Sequence, residues 1–210
     1  MNARVDPKMS GEPVDCEIAR PRYETAVART IDDLMQVMII RSLVYMGEQK
    51  CPYDEEYDGN DFSGATHLIL RRNKEPIGTL RIRWFADFAK LERVAVRNEF
   101  RGTRATLELV REAFRIAERK GYRKVLGHAQ TRLVPFWSRH FKAKTVAGRE
   151  GFVFSDHDYV EIAFDLAPPA NALTIDSDPM VLLRPEGEWD RPGVLEWSAN
   201  RPATNPLAHS

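Results

Sequence analysis

The chain predicts a mixed α/β fold: a central mixed, largely antiparallel sheet with helices packed on both faces. Three observations carry this expectation. Strand-like runs outnumber helical ones, the middle of the chain reads strand, helix, strand, and the most strongly amphipathic helix follows a basic turn at the end of a strand. At 210 residues, 43% hydrophobic and 30% charged, the chain suits one full core rather than two domains. Thirty-one basic residues balance thirty-one acidic ones, so no global field exists to draw the protein onto nucleic acid or a membrane surface. Only Cys16 and Cys51 are present and they form no C-x-x-C, which argues against a zinc site or structural disulfide; no metal is expected and a reducing cytoplasm is the expected setting. No apolar run approaches the roughly eighteen residues of a membrane span, and MNARVDPKMSGEPVD lacks an apolar export core.

Residues 1–22 are rich in Pro, Gly and charge without periodicity, and read as a flexible or docked N-terminal arm. Tyr23 to Arg29 alternates as a first strand. Thr30 and Asp33 form a capping pair that opens a helix from Ile31 to about Gln49, with Leu34, Val37, Met38, Val44 and Tyr45 toward the core. Arg41 on that face is expected to snorkel to its edge. The following loop carries five acidic residues between Asp54 and Asp61, readable as a solvated turn or as a selector for a cationic amine.

Strands are expected over Thr66 to Arg71 and Ile77 to Phe85, joined by the turn Asn73 to Pro76, and then over Ala89 to Val96. The stretch Leu91 to Gly121 is the centre of the chain. Its strand runs into the turn Arg101-Gly102-Thr103-Arg104, and a helix follows with Leu107, Val110, Phe114 and Ala117 on one face. A strand, cationic turn and helix start together form an anion site, because the first amides of a helix lack internal partners and sit at the positive end of the dipole. Next come a strand from Arg123 to Gln130, a short helix from Thr131 to His140, and a return hairpin of Ala143 to Ala147 with Asp158 to Leu166. Residues 23–166 make one domain. Residues 167–210 form a Pro/Trp-rich extension holding seven of the thirteen prolines with Trp189 and Trp197; it is too apolar at Met180 to Leu183 to stay solvated, and is expected to dock on the domain or a partner subunit.

The order V-A-V-x-x-x-F-R-G-T at Val94 to Thr103, the amphipathic helix, the next strand and the aromatic turn at Phe136-Trp137 resemble the GCN5-related N-acetyltransferase (GNAT) superfamily. A second run, R-x-x-V-(Y/F)-x-x-E-Q-x-C-P-Y-x-(D/E)-x-D-G-x-D, resembles a bacterial subgroup of it, through Arg41, Val44, Tyr45, Glu48, Gln49, Cys51, Pro52, Tyr53, Asp58, Gly59 and Asp61. The resemblance implies an acyltransferase taking acetyl-CoA or another acyl-CoA and a small-molecule or peptide amine acceptor. It also implies that the main chain of Val94 and Val96 pairs with the pantetheine arm, and that Arg101, Gly102, Thr103, Arg104, Ala105 and Thr106 hold the pyrophosphate. Arg104 and Thr106 stand where that loop has small residues, so arginine and hydroxyl contacts would replace part of what glycine offers.

Acyl transfer to an amine needs an oriented thioester, a neutral amine and a fate for the thiolate. By resemblance Glu92 is the general base. Trp137 stands at the position of the superfamily's proton-donating tyrosine, and an indole is no useful acid. Ser138 and His140 are the nearby substitutes, with His128 placed to point into the cleft; His67 and His157 read as structural. Two other functions fit the same fold. One is an N-acyl amino acid or acyl-homoserine lactone type synthase fed by acyl carrier protein; the other is a non-catalytic member binding acyl-CoA or a partner through the tail. A homodimer is compatible with either.

Overall fold

The computed structural model describes residues 22–198 together with Arg201 and Thr204. The expected N-terminal arm therefore lies outside the described residues, apart from Arg22. Strand β1 (Tyr23–Val27) is followed by helix α1 (Ile31–Arg41). A complete capping box starts the helix: Asp33 N–H donates to Thr30 Oγ1 at 3.0 Å and Thr30 N–H donates to Asp33 Oδ2 at 3.1 Å. The helix continues as a π-helical stretch, Ser42–Glu48, which keeps Val44 and Tyr45 buried, and a single turn α2 (Tyr53–Glu56) stands in the acidic loop. The chain then forms β2 (Thr66–Arg72), β3 (Glu75–Trp84), β4 (Ala89–Val96), α3 (Ala105–Arg119), β5 (Lys124–Gln130), α4 (Val134–Phe141), β6 (Lys144–Thr145), β7 (Phe152–Phe154), β8 (His157–Asp165), α5 (Pro179–Leu182) and α6 (Val194–Ser198).

The strands form one sheet in the order β1-β2-β3-β4-β5-β8-β6, with β7 also paired to β8. Every pairing is antiparallel except β4 with β5. Helices α1 and α3 cover opposite faces. The α3 face buries Leu68, Leu80, Ile82 and Leu91, and the α1 face buries Ile40, Val44 and Tyr45 against Ala95. The stripe that α3 buries is centred on Leu109, Ala113 and Ile116 with Val110 and Ala117, so Leu107 and Phe114 lie at its margins rather than its centre. Arg41 is the larger correction: its side chain is fully buried and does not snorkel to an edge.

The extension after β8 lies along β1 and α3. Trp189 is buried in the α3-side core. Around it Lys120 Nζ donates to Glu186 Oε1 at 2.6 Å, Arg115 Nη2 to the Gly187 carbonyl at 2.8 Å, and Arg29 Nη2 to the Glu186 carbonyl at 2.7 Å. Gly187 has φ +83°, and a β-carbon there would stand 3.1 Å from Val27, so both conformation and space call for glycine. Of the segments expected to dock, Trp189 does so, whereas Trp197 is 73% exposed and Leu183 63%. Trp189→Ala should cost about 3–5 kcal/mol, read as a lowered Tm. Trp197→Ala should stay within about 0.5 kcal/mol.

Candidate active site

Strands β4 and β5 pair only from Ala89, Lys90 and Leu91 to Val125, Leu126 and Gly127. Both strands run on, but apart. The cause is in β4, where the register against β3 shifts between Thr79 and Arg81 and Arg93 takes φ +52°. Two residues then oppose Leu80, the strand bends, and its remaining half leaves its parallel neighbour. The gap is a cleft of about 770 Å³ running from Leu91 and Gly127 to Arg101 and Thr106 at the start of α3.

The pleat gives this cleft two unlike sides. Leu91, Gly127, Ala129, Ile162 and Phe164 lie toward α3 and α4, closed by Phe136 and Trp137. On the other side the register aligns Lys90 and Glu92 of β4, His128 and Gln130 of β5, and Glu161 and Tyr159 of β8. Chemistry-bearing groups are therefore confined to the side roofed by the π-helical stretch and α2.

Beneath that roof lies a buried ionic network. Arg41 Nε donates to Glu56 Oε1 at 2.5 Å, its Nη1 pairs with Asp61, and its Nη2 donates to the Glu56 carbonyl at 2.8 Å. Arg81, also fully buried, pairs with Asp58 at 2.7 Å, Asp61 at 2.9 Å and Glu92 at 2.7 Å. Arg93 reaches Glu56 at 3.1 Å and Asp58 at 3.2 Å. His67 is structural as expected, with Nε2 placed 3.0 Å from the Asp61 carbonyl. Three of the five loop acids are thus internal counter-ions. Asp54 and Glu55 remain on the cleft, with Glu55 Oε2 accepting from Ser155 N–H at 3.1 Å.

Glu92 lines the cleft, but its carboxylate is clamped between Arg81 and Lys90, the latter at 2.8 Å. Burial would raise its pKa; the Lys90 hydrogen bond and the Arg81 charge outweigh this and hold it below the usual carboxylate range, which opposes a role as base. The two expected proton donors are not brought to the cleft. Ser138 Oγ donates to the Ala143 carbonyl at 3.0 Å, and His140 is exposed beside the Phe136 ring. Trp137 is a wall, packed edge-on against Phe164. His128 does face the cleft, with Nε2 3.5 Å from Glu161 and Phe152 edge-on to its ring. Burial, aided by Lys90, lowers its pKa below the ordinary 6.5 against the pull of Glu161, so the imidazole is neutral at neutral pH.

At the other end, Val94, Val96, Arg101 and Thr106 line the cleft. The Val94 carbonyl accepts from Tyr45 Oη at 3.0 Å and the Val96 carbonyl from Arg101 Nε at 2.9 Å, while Arg101 Nη2 pairs with Glu48 at 2.5 Å. Gly102 takes φ +72° to turn the chain into α3, which begins at Ala105 with no side-chain cap from Arg104. Arg104 has ordinary helical angles and points outward to Glu108 at 3.1 Å, so it does not fill the path where a small residue was expected. Thr103 Oγ1 accepts from Ala105 N–H at 3.3 Å. Sequence reasoning passed over Tyr159, and over Gln130 as a site residue, although H-x-Q on β5 and Y-x-E on β8 already imply a shared face.

The model of the acetyltransferase (GNAT) family matches residues 34–141. The uncharacterised N-acetyltransferase YjcF of Bacillus subtilis (strain 168) is 26% identical over 117 residues, covering 56% of this chain and 83% of that one. An acyl-CoA N-acyltransferase from Pseudomonas aeruginosa superposes with a TM-score of 0.60 at 24% identity, over 69% of this chain and 99% of that one. FeeM, an N-acyl amino acid synthase from uncultured soil microbes, superposes at 0.60 with 12% identity, over 85% of this chain and 97% of that one. Among the described residues no helix is long and apolar enough to cross a membrane, and no group of three metal-ligating side chains is found.

The network generates a stability prediction. Asp61→Asn should cost about 3–5 kcal/mol, the scale for leaving buried guanidinium charge underpaired. Asp58, Asp61 and Glu92 all have folded-state pKa values below their ordinary 3.8 and 4.5. Their contribution is therefore complete above those ordinary values and is lost as pH falls through them toward the folded values. The urea midpoint of the wild type should drop below pH ~4, and Asp61→Asn should show a shallower drop.

Proposed function

The chain belongs to the acetyltransferase (GNAT) family, and from that premise we propose that it moves an acyl group from acyl-CoA to an amine. The opening between β4 and β5 carries this reading: it ends at the start of α3 beside Arg101, which suits a pyrophosphate, and narrows to Leu91 and Gly127, which suits a thioester. Holding the thioester there beside the polar face turns attack by the amine into a local event. The amine nitrogen attacks the thioester carbonyl and His128 accepts its proton, a role suited to a neutral, cleft-facing imidazole. Glu92 acts as an anchor for Lys90 and Arg81. Asp54 and Glu55 are the loop acids left to attract a cationic acceptor.

A second reading concerns the donor. The cleft side bearing Phe136, Trp137 and Phe164 is apolar enough for an acyl chain longer than acetyl, delivered by CoA or by acyl carrier protein. Calorimetry with acetyl-CoA, octanoyl-CoA and an acylated carrier protein sorts these donors, and absence of binding by all three would reject both readings.

Arg101→Ala should weaken acetyl-CoA binding roughly tenfold or more, the scale of a charge-assisted phosphate contact. His128→Gln should lower thiol release from acetyl-CoA in the presence of a primary amine panel by about 10²-fold, with acetyl-CoA affinity kept. The wild-type pH profile should include a limb that falls as pH drops below His128's depressed pKa, because its base form is the unprotonated one, and His128→Gln should lose that limb. A full rate in the His128 variant would move the base elsewhere.

A further inference from the structure

The ion pairs beneath the roof of the cleft do not close evenly. Arg41, Arg81 and Arg93 face Glu56, Asp58 and Asp61, three groups against three. Glu92 is the next carboxylate, and two further cations, Lys90 and Arg83, share it. Its Oε2 accepts from Arg81 Nε at 3.0 Å and Nη2 at 2.7 Å, and its Oε1 lies 2.8 Å from Lys90 Nζ. Arg83 is left 3.9 Å from that Oε1, beyond hydrogen-bond length, with its guanidinium 5.1 Å over the Phe85 ring. Among the described residues this guanidinium donates no hydrogen bond, although its side chain is only 27% exposed and lines the cleft. A guanidinium with unspent donors beside an ammonium is a receptor for an oxyanion.

Strand register fixes where that receptor stands. Arg83 and Lys90 are directly opposed on β3 and β4, and Lys90 precedes Leu91 at the narrow end of the cleft, where the proposed thioester sits. Lys90 pairs with Leu126, so His128 is two residues on along β5, about 6.6 Å of strand. Resting on the acyl-CoA reading, we infer that Arg83 and Lys90 bind an anionic group carried by the acceptor itself, a carboxylate or phosphate a few bonds from the amine. An amino acid or an amino phosphate ester spans the distance: its anion meets Arg83 and Lys90 while its nitrogen lies by His128, facing the thioester. The loop acids fit the other charge of the same acceptor. Glu55 is held by Ser155 N–H between β7 and β8, at the far end of the polar face, so it draws the ammonium in without competing for the cation pair. Binding of the anion also offsets the Lys90 charge that, after burial, lowers the pKa of His128, and so strengthens the base when the acceptor is in place.

The experiment measures thiol release from acetyl-CoA with matched acceptors: amino acids against their carboxamides for a carboxylate, and phosphoethanolamine against ethanolamine for a phosphate. An anionic member should exceed its partner without the anion in kcat/KM by roughly tenfold or more, the scale of a charge-assisted contact, and the pair that does so names the anion. Arg83→Gln should remove most of that ratio with acetyl-CoA affinity kept, and Arg83→Lys should retain much of it. Should Arg83→Gln not fold, Lys90→Gln should lower the same ratio, because Glu92 keeps its pairing with Arg81. A ratio unchanged in Arg83→Gln, or in Lys90→Gln where that stands in for it, overturns the assignment alone. So does a wild type that uses both partners equally, or one that binds acetyl-CoA but turns over no anionic member. A wild type that fails to bind acetyl-CoA in calorimetry overturns the acyl-CoA reading and this inference with it.

Discussion

Two guanidinium groups, Arg41 and Arg81, lie fully buried between α1 and the sheet, and the architecture of the cleft depends on satisfying them. Unpaired charge in such a place is prohibitive, so carboxylates must be brought to it. Glu56, Asp58 and Asp61 come from the loop after the π-helical stretch and Glu92 from β4. The loop is thereby tied to α1, β3 and β4. Its remaining acids, Asp54 and Glu55, are left on the rim of the cleft as a consequence. The same interaction holds Glu92 in its charged form, through the Lys90 hydrogen bond and the Arg81 charge, whereas at Glu56 burial outweighs the arginines and raises the pKa.

The second constraint is the bulge at Arg93. An extra residue in β4 reverses the phase of the pleat, so Val94 and Val96 join the α3 side while Ala95 packs against α1. It also ends the parallel pairing with β5 after three residue pairs. The guanidinium of Arg93, held by Glu56 and Asp58, links the bend to the ionic network. Cleft and network are thus one construction, with the charged groups confined to one side of the sheet.

The C-terminal extension shows how polar contacts can seat a proline-rich segment without regular structure. Glu186 alone engages Lys120 and Thr66, and its carbonyl accepts from Arg29, while Trp189 supplies the buried apolar surface. These contacts lie along β1, β2 and α3, away from the residues that line the cleft. The extension therefore bears on stability rather than on the proposed chemistry.

Much of the fold was legible in the sequence, because periodicity and local chemistry act over a few residues. The Thr30 and Asp33 capping pair, the alternation of Ala89 to Val96, and the turn at Gly102 before an amphipathic helix each name their own structure. The motif that carries Arg41, Asp58 and Asp61 was visible as a pattern, yet its physical role was not. Whether an arginine on a helix snorkels or is buried depends on which carboxylates reach it from 15 to 20 residues away, and spacing along the chain does not record that. The aromatic turn misled in the same way: Ser138 and His140 are near Trp137 in sequence but point away from the cleft. Tyr159 is far from Trp137 in sequence and faces into the cleft, because β8 pairs with β5. Sequence determined the elements and their order; the tertiary structure decided which charges are counter-ions and which side chains share the cleft, since both depend on partners supplied by strand pairing across the sheet.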